Sequence, residues 1–425
     1  MASRSSTSAR TRTSRSAPEE ADSPEPLRIN LFTIGDCADI GTWSNLPYYL
    51  YRALCARVEV TPINLVPPGT WTYRSWTRLM NWRDRAAARV FPGSSCDRLR
   101  TRSYHLFVNK HLQRTARAHP GADLNLFLTF SFSSYRYAGV PVVHYCDRTY
   151  EHHLEELGKT PDRNDRRFVR IDRTNIENAD LVLTTNEPCR DFIQGRYNPK
   201  RVVYLRTGIN TNVRRVDPDA LISDKRDSKD ILFIGRDVRS RGADVLIPAF
   251  RIFNERQGGD FTLHVVGIDP ADLAPELREV PRVRFYGYLD RSVASELGRY
   301  NALVRSAKMF VLPMRSGPYP AVVREVMWHC TPVIVSDVSW ELVRDGREGI
   351  VARSLEPAEF AHQMSRLIAD ARRWEQMARC AHASIHGLTW DKTVENLLDV
   401  VADGDLVRRG AKSAGWVGGV RSEEC

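Results

Sequence analysis

No run of about 18 or more apolar residues occurs in this sequence, which excludes an ordinary membrane-spanning helix. The first residues also lack the apolar segment of a secretory signal, so the chain is expected to stay in the cytoplasm. No two cysteines form a C-x-x-C pair, and none of the eight has a histidine at zinc-ligand spacing. Cys37, Cys55, Cys96, Cys146, Cys189, Cys330, Cys380 and Cys425 therefore read as reduced thiols, and no structural metal is expected. No solenoid-type repeat is visible. Acidic residues fall short of basic ones, 52 against 62, giving a net charge of +10. That deficit is local. Between Trp71 and Arg117 stand Arg74, Arg78, Arg83, Arg85, Arg89, Arg98, Arg100, Arg102, Lys110, Arg114 and Arg117, opposed only by Asp84 and Asp97. An anionic partner is implied: a phospholipid surface, a lipid-phosphate acceptor or, least favoured, a nucleic acid.

What is present is an ordinary globular composition, 42% hydrophobic and 27% charged over 425 residues. A chain of this length predicts two domains of roughly 150–200 residues each. Residues 1–26, rich in Ser, Arg, Thr and Pro, predict a disordered tail. Strands are expected at 27–34, 58–63, 124–129, 140–144, 181–184 and 202–205, with helices between them. The polar segment 210–228 reads as a linker. A second series then begins, with strands at 231–234, 262–266, 283–286, 309–312, 333–335 and 350–351, and helices at 241–254, 293–305, 321–328, 357–370 and 373–386. Alternating strands and helices predict parallel sheets: an α/β protein of two tandem Rossmann-like, doubly wound domains with a cleft between them. The expected division is 27–213, then 214–388, then a helix at 389–403 returning to the first domain, then a flexible tail at 404–425. Near the start, Ser44 or Asn45 is the expected cap of a helix with Pro47 in its first turn.

Two segments carry chemistry. In ILFIGRDVRSRG, residues 231–242, a strand ends in a glycine turn and a helix follows. Arg236 and Arg241 there suit a diphosphate, because helix N–H groups and forked guanidiniums both favour phosphate oxygens. Solvated surface arginines are the plain alternative. In PMRSGPYPAVVREVM, residues 313–327, another strand, turn and helix place Glu325 near the helix edge. A carboxylate there can accept hydrogen bonds from ribose hydroxyls, or can simply face solvent. No D-x-D motif for a metal-bound diphosphate stands at a strand end, so no metal is expected. Trp71, Trp76 and Trp82 interleave with arginines, which suits first a charged helix whose tryptophans pack inward, then a membrane interface, and last a nucleic-acid backbone.

Together these segments resemble family 4 of the retaining GT-B glycosyltransferases. GRDVRSRG stands where that family has GR-x-x-x-x-KG, and FYGYL at 285–289 is similar to its F-x-G-x-L motif. GPYPAVVREVMWHCTPVIVSD, from Gly317, resembles its paired-glutamate segment, and ELVRDGREGIV, from Glu341, its E-L-V-x-D-G-x-x-G-x-L-V. The resemblance is strong from Ile231 to Val351. It implies sugar transfer from a UDP- or GDP-sugar to a hydroxyl of a glycan or lipid-linked acceptor, with retention, in glycan or glycolipid biosynthesis. It further implies that Arg236 and Arg241 stabilise the leaving diphosphate and that Glu325 holds the ribose. Gly235 belongs to the same turn. Main-chain groups around Tyr319, Pro320, Ala321 and Val322 would meet the diphosphate or sugar, Gly267 and Tyr288 would lie near the base, and Gly41 would form the glycine turn of the first domain. The family's histidine near the transferred sugar falls on Asp147, with His144 a packed strand residue. Arg241 replaces the family's lysine. The first glutamate of the pair falls on Gly317, and no acidic residue occurs between Asn301 and Arg324. That departure supports one competitor, a degenerate nucleotide-sugar-binding partner protein; a second, an epimerase of the same fold, has the set Arg236, Arg241 and Glu325 against it.

Overall fold

The computed structural model describes residues 26–66, 71–90, 100–137, 139–317, 321–337 and 343–406. Cys96, Cys425, most of both predicted tails, Tyr319 and Pro320 lie outside the described residues. Two all-parallel sheets of six strands each form the frame. The first comprises β1 (Arg28–Thr33), β2 (Glu59–Asn64), β3 (Leu124–Phe127), β4 (Val142–Cys146), β5 (Leu181–Thr184) and β6 (Val202–Tyr204), in the order β2-β1-β3-β4-β5-β6. The second comprises β7 (Asp230–Ile234), β8 (Thr262–Val266), β9 (Val283–Phe285), β10 (Met309–Leu312), β11 (Val333–Ser336) and β12 (Gly349–Ala352), in the order β12-β11-β10-β7-β8-β9. Helices of the first half are α1 (Leu46–Cys55), α2 (Trp71–Val90), α3 (Arg102–Ala118), α4 (Tyr150–Glu156), α5 (Arg163–Asn178) and α6 (Glu187–Arg196). Then follow α7 (Pro218–Lys225), α8 (Val238–Arg241), α9 (Ala243–Arg256), α10 (Pro275–Arg278), α11 (Ala294–Ser306), α12 (Ala321–Trp328), α13 (Pro357–Ile368), α14 (Ala371–Ile385) and α15 (Trp390–Asp403).

Apolar, fully buried strands such as LVLT in β5 and MFVL in β10 explain why both sheets are parallel and covered on both faces. The first sheet separates two cores. Leu31, Leu126 and Leu183 face one side; Phe32, Phe127 and Val182 face the other. A single larger core surrounds the second sheet. Helix α15 crosses back: Trp390, Val394, Leu397 and Val401 pack with Leu50 and Leu54 of α1. Trp390 also donates its indole N–H to Asn210 Oδ1 at 3.0 Å.

Three local expectations need correction. The segment 210–228 is not all linker, because Asp217 caps α7 through the N–H groups of Asp219 and Ala220. Leu221, Ile222 and Lys225 of that helix are buried, and the Lys225 ammonium reaches His329 O at 2.6 Å and Thr331 Oγ1 at 2.5 Å. The helix expected to start at Arg241 is broken at Gly242. Asp237 caps the one-turn α8, and α9 begins at Ala243. Asn45 occupies the cap position of α1 but makes no side-chain cap bond, its amide being turned to Ile40 O.

Candidate functional site

In each sheet the strand order reverses beside the first strand, between β1 and β3 and between β7 and β10. Loops leaving the carboxyl ends of strands diverge at such a reversal and open a crevice. A cavity of about 400 Å³ lies where the two crevices face each other. Every predicted site residue within the described regions lines it: Gly41, Asp147, Gly235, Arg236, Arg241, Gly267, Tyr288, Ala321, Val322 and Glu325. His144 does not; it is buried in β4, its Nδ1 hydrogen-bonded to Thr129 O at 2.5 Å, and burial pulls its pKa down to about 4.

Gly242 explains how Arg241 is aimed. Its φ is +81°, and a Cβ there would stand 2.0 Å from Pro313 O. Only glycine lets the start of α9 abut the end of β10, and the preceding turn of α8 then projects Arg241 into the cavity. The guanidinium lies against Met314 Sδ. Desolvation by burial, then the neighbouring Arg148, lower its pKa from the usual value. Among the described residues no carboxylate lies within ion-pair distance of it. A cation that is half desolvated and has no counter-ion is a ready anion site. Arg236 extends over the Tyr288 ring, its Cζ 4.1 Å from the centroid.

The missing glutamate belongs to the same corner. A Cβ at Gly317 would point 3.8 Å from Arg241 Nη1, and the φ of +119° there is one that side chains strongly disfavour. The backbone itself is thus shaped for glycine, and the absence of a carboxylate leaves Arg241 unneutralised.

Glu325 differs from expectation. It is buried, not at a solvent edge, and its carboxylate is already engaged. Tyr300 donates its hydroxyl to Oε2 at 2.7 Å, and Arg291 Nη1 donates at 3.1 and 3.3 Å. Arg291 and Glu325 side chains are 10% and 6% exposed, a buried ion pair. Burial works against the arginine charge, but Glu325, with Tyr300 and Tyr49, outweighs it and raises the pKa above its ordinary value. Arg291 also donates to Asn210 O at 2.8 Å and approaches Asn45 Oδ1 and Tyr49 OH, so one guanidinium ties the second sheet's domain to α1 and the connecting segment. The sequence carried no signal for this residue: Arg291 lies in no motif, and its partners are 34 to 246 positions away.

Asp147, at the end of β4, is half-buried in the cavity wall, and desolvation raises its carboxyl pKa. Arg148 beside it is paired with Glu156. Among the described residues no group of three or more His, Cys, Asp or Glu side chains is placed to hold a metal ion.

Comparison with known proteins agrees with this fold. Residues 228–370 match the family described as Glycosyl transferases group 1. The D-inositol 3-phosphate glycosyltransferase of Salinispora tropica is 27% identical over 294 residues, 62% of this chain and 59% of that protein. The protein of the same name from Nocardiopsis dassonvillei is 30% identical over 185 residues, 40% of this chain and 42% of that one. The chain thus matches less than two thirds of the length of these relatives. In fold, sucrose-phosphate synthase of Thermosynechococcus elongatus superposes with a TM-score of 0.64 at 18% identity, covering 89% of this chain and 98% of that one. Anabaena HepE, solved with UDP and glucose, gives 0.63 at 15% identity over 89% of this chain and 100% of its own. The fold is GT-B: two Rossmann-like domains facing each other across a cleft.

Proposed function

We propose that the protein is a glycosyltransferase that moves a hexosyl group from a UDP- or GDP-sugar to a hydroxyl of a glycan or lipid-linked acceptor, with retention and without a metal. The observation that carries this is Arg241: a half-desolvated guanidinium with no ion-pair partner among the described residues, on the loop leaving β7 at the strand-order reversal, lining with Arg236 a cavity sized for a nucleotide. The bond from the anomeric carbon to the diphosphate oxygen breaks, and its electron pair stays on that oxygen beside Arg236 and Arg241. The acceptor oxygen bonds to the anomeric carbon on the same face, and its proton passes to the departing phosphate. Asp147, with its raised pKa, hydrogen-bonds a hydroxyl of the transferred sugar. The protein works in the cytoplasm, and the basic segment 71–117 brings it to an anionic membrane face.

Thermal shift with UDP, GDP and their sugars tests the reading. A nucleoside diphosphate that binds only the folded chain raises the melting temperature. No shift with either diphosphate, in parent protein that melts cooperatively, rejects it. One observation favours a second reading, that of a nucleotide-sugar-binding partner protein: Gly317 replaces a carboxylate, and Glu325 is held by Arg291. Release of free nucleoside diphosphate by the purified chain with an acceptor present excludes that alternative. EDTA leaves the rate unchanged in a metal-independent reaction.

A further inference from the structure

The segment 71–117 is half of a larger basic face. On α5, Arg163, Arg166, Arg167 and Arg170 stand at i, i+3, i+4 and i+7, one side of the helix, while Asp165, Phe168, Asp172 and Ile176 bury the other. These four arginines, with Arg102 from the first turn of α3 and Asn164, line a cavity of about 660 Å³ that shares no lining residue with the donor cavity. Among the described residues, none of the five guanidiniums meets a carboxylate within ion-pair distance. The two acids at this end of α5 are otherwise occupied. Asp162 caps Asp165 N at 2.7 Å, and Asp165 takes the Tyr150 hydroxyl and Lys159. Five like charges around one hollow raise the local positive potential and draw anions to it.

Adjoining this hollow the surface is apolar. Leu106, one turn beyond Arg102 on α3, is 60% exposed. On α2, which is fixed to α3 by Trp76 donating to Ser103 Oγ at 2.7 Å, Trp71, Leu79 and Trp82 are 80%, 56% and 68% exposed. Together with Arg74 and Arg78 they fall on one side of α2, at i, i+3, i+7, i+8 and i+11. Trp76 alone of the three tryptophans packs inward, against Tyr104 and Phe107. Exposed tryptophans and leucines beside unpaired arginines are the makeup of a surface that enters the headgroup layer of an anionic bilayer.

We propose that the α3–α5 hollow is a phosphate-gripping site for anionic phospholipid headgroups, and that the apolar side chains of α2 and α3 seat the same face in the bilayer. The proposal rests on the membrane reading of 71–117 and is independent of the sugar-transfer chemistry. The test is sedimentation of the full chain with vesicles of phosphatidylcholine alone or mixed with phosphatidylglycerol. The parent is expected to bind only the mixed vesicles, and less as salt is added. The triple variant Arg163→Gln, Arg166→Gln, Arg170→Gln is expected to partition on the order of a hundredfold more weakly, each lost charge near the surface costing several-fold. Its melting temperature and response to UDP should match the parent, because these side chains are solvent-facing and away from the donor cavity. If Trp71→Ser, Trp82→Ser abolishes vesicle binding while the triple variant binds like the parent, the α5 site is rejected and the 71–117 reading stands. Absence of parent binding to mixed vesicles rejects both, as does equal binding to neutral vesicles. Capture of pyrophosphate or of an oligonucleotide by the hollow, without vesicle binding, also overturns the proposal.

Discussion

Arg241 and Arg291 illustrate two opposite uses of a buried guanidinium. Arg241 has no ion-pair partner among the described residues; Arg291 has Glu325 and two domains to hold. Removing a preorganised charge from a developing oxyanion costs about a hundred- to a thousandfold in rate. Arg241→Ala is therefore expected to lower kcat by that order while leaving the melting temperature near the parent's, and steady-state kinetics with a fixed donor reads it. Arg241→Lys, which keeps the charge but loses the fork, should recover part of the rate. A variant with unchanged kcat would mean that the diphosphate lies elsewhere. For Arg291 the loss appears in stability instead. Arg291→Ala leaves Glu325 and Tyr300 facing each other in a buried site, an uncompensated charge that costs about 3–5 kcal/mol. A melting temperature within a degree or so of the parent's would contradict the buried-pair account. Gly317→Glu, which restores the carboxylate on paper, is expected to lower stability by about 1–3 kcal/mol, because it forces a side chain onto a φ of +119°.

At the scale of elements, strands were the most legible part of the sequence. LVLT, TLHVV and MFVL are short, largely apolar and bounded by turn residues, and β5, β8 and β10 begin and end where the periodicity places them. Helix ends were read less well, for definite reasons. Gly242 follows a turn that looks helical in sequence, yet its contact with Pro313, just past the end of β10, breaks the helix and sets the aim of Arg241. The polar stretch around α7 hides a helix because its buried lysine finds carbonyl partners that no local pattern announces. The candidate site was legible where motifs carry it, in the turns after β7 and β10. The Arg291 bridge, assembled from four distant segments, was not. Gly242→Val tests the element-level account. Overlap with Pro313 O at 2.0 Å and a positive φ cannot both be relieved without moving α9 off β10. The expected result is a lower melting temperature together with loss of the UDP-induced shift, whereas Gly259→Val, where a Cβ meets nothing within 4 Å, should retain the shift.

For the whole molecule, acid stability is set in both halves at once. His105 and His144 in the first half and His329 in the second are buried, and desolvation lowers each pKa to about 4 from an ordinary 6.5. In the unfolded chain each ring takes a proton near pH 6.5; in the folded protein it refuses one until about pH 4. The unfolded state therefore binds more protons across that window, and stability is full above pH 6.5 and lost as pH falls toward 4. Asp172, raised to about 6 by desolvation, and Asp147 act in the opposite sense, gaining their protons in the folded state first, but His152, His153 and His382, also pulled down by desolvation, add to the three buried rings. Because buried histidines lie in both halves, neither half is spared, and Arg291 and α15 tie the two together. The melting temperature should fall steadily between pH 6.5 and 4.5, well before surface carboxylates titrate fully. His144→Asn should make that slope shallower, since it removes one of several such contributions while its amide, at the position of the ring Nδ1, can still donate to Thr129 O. Calorimetry at four or so pH values separates the outcomes: a flat profile through this range, or an unchanged slope in the variant, would show that these rings are charged in the folded protein and that their burial has been misread.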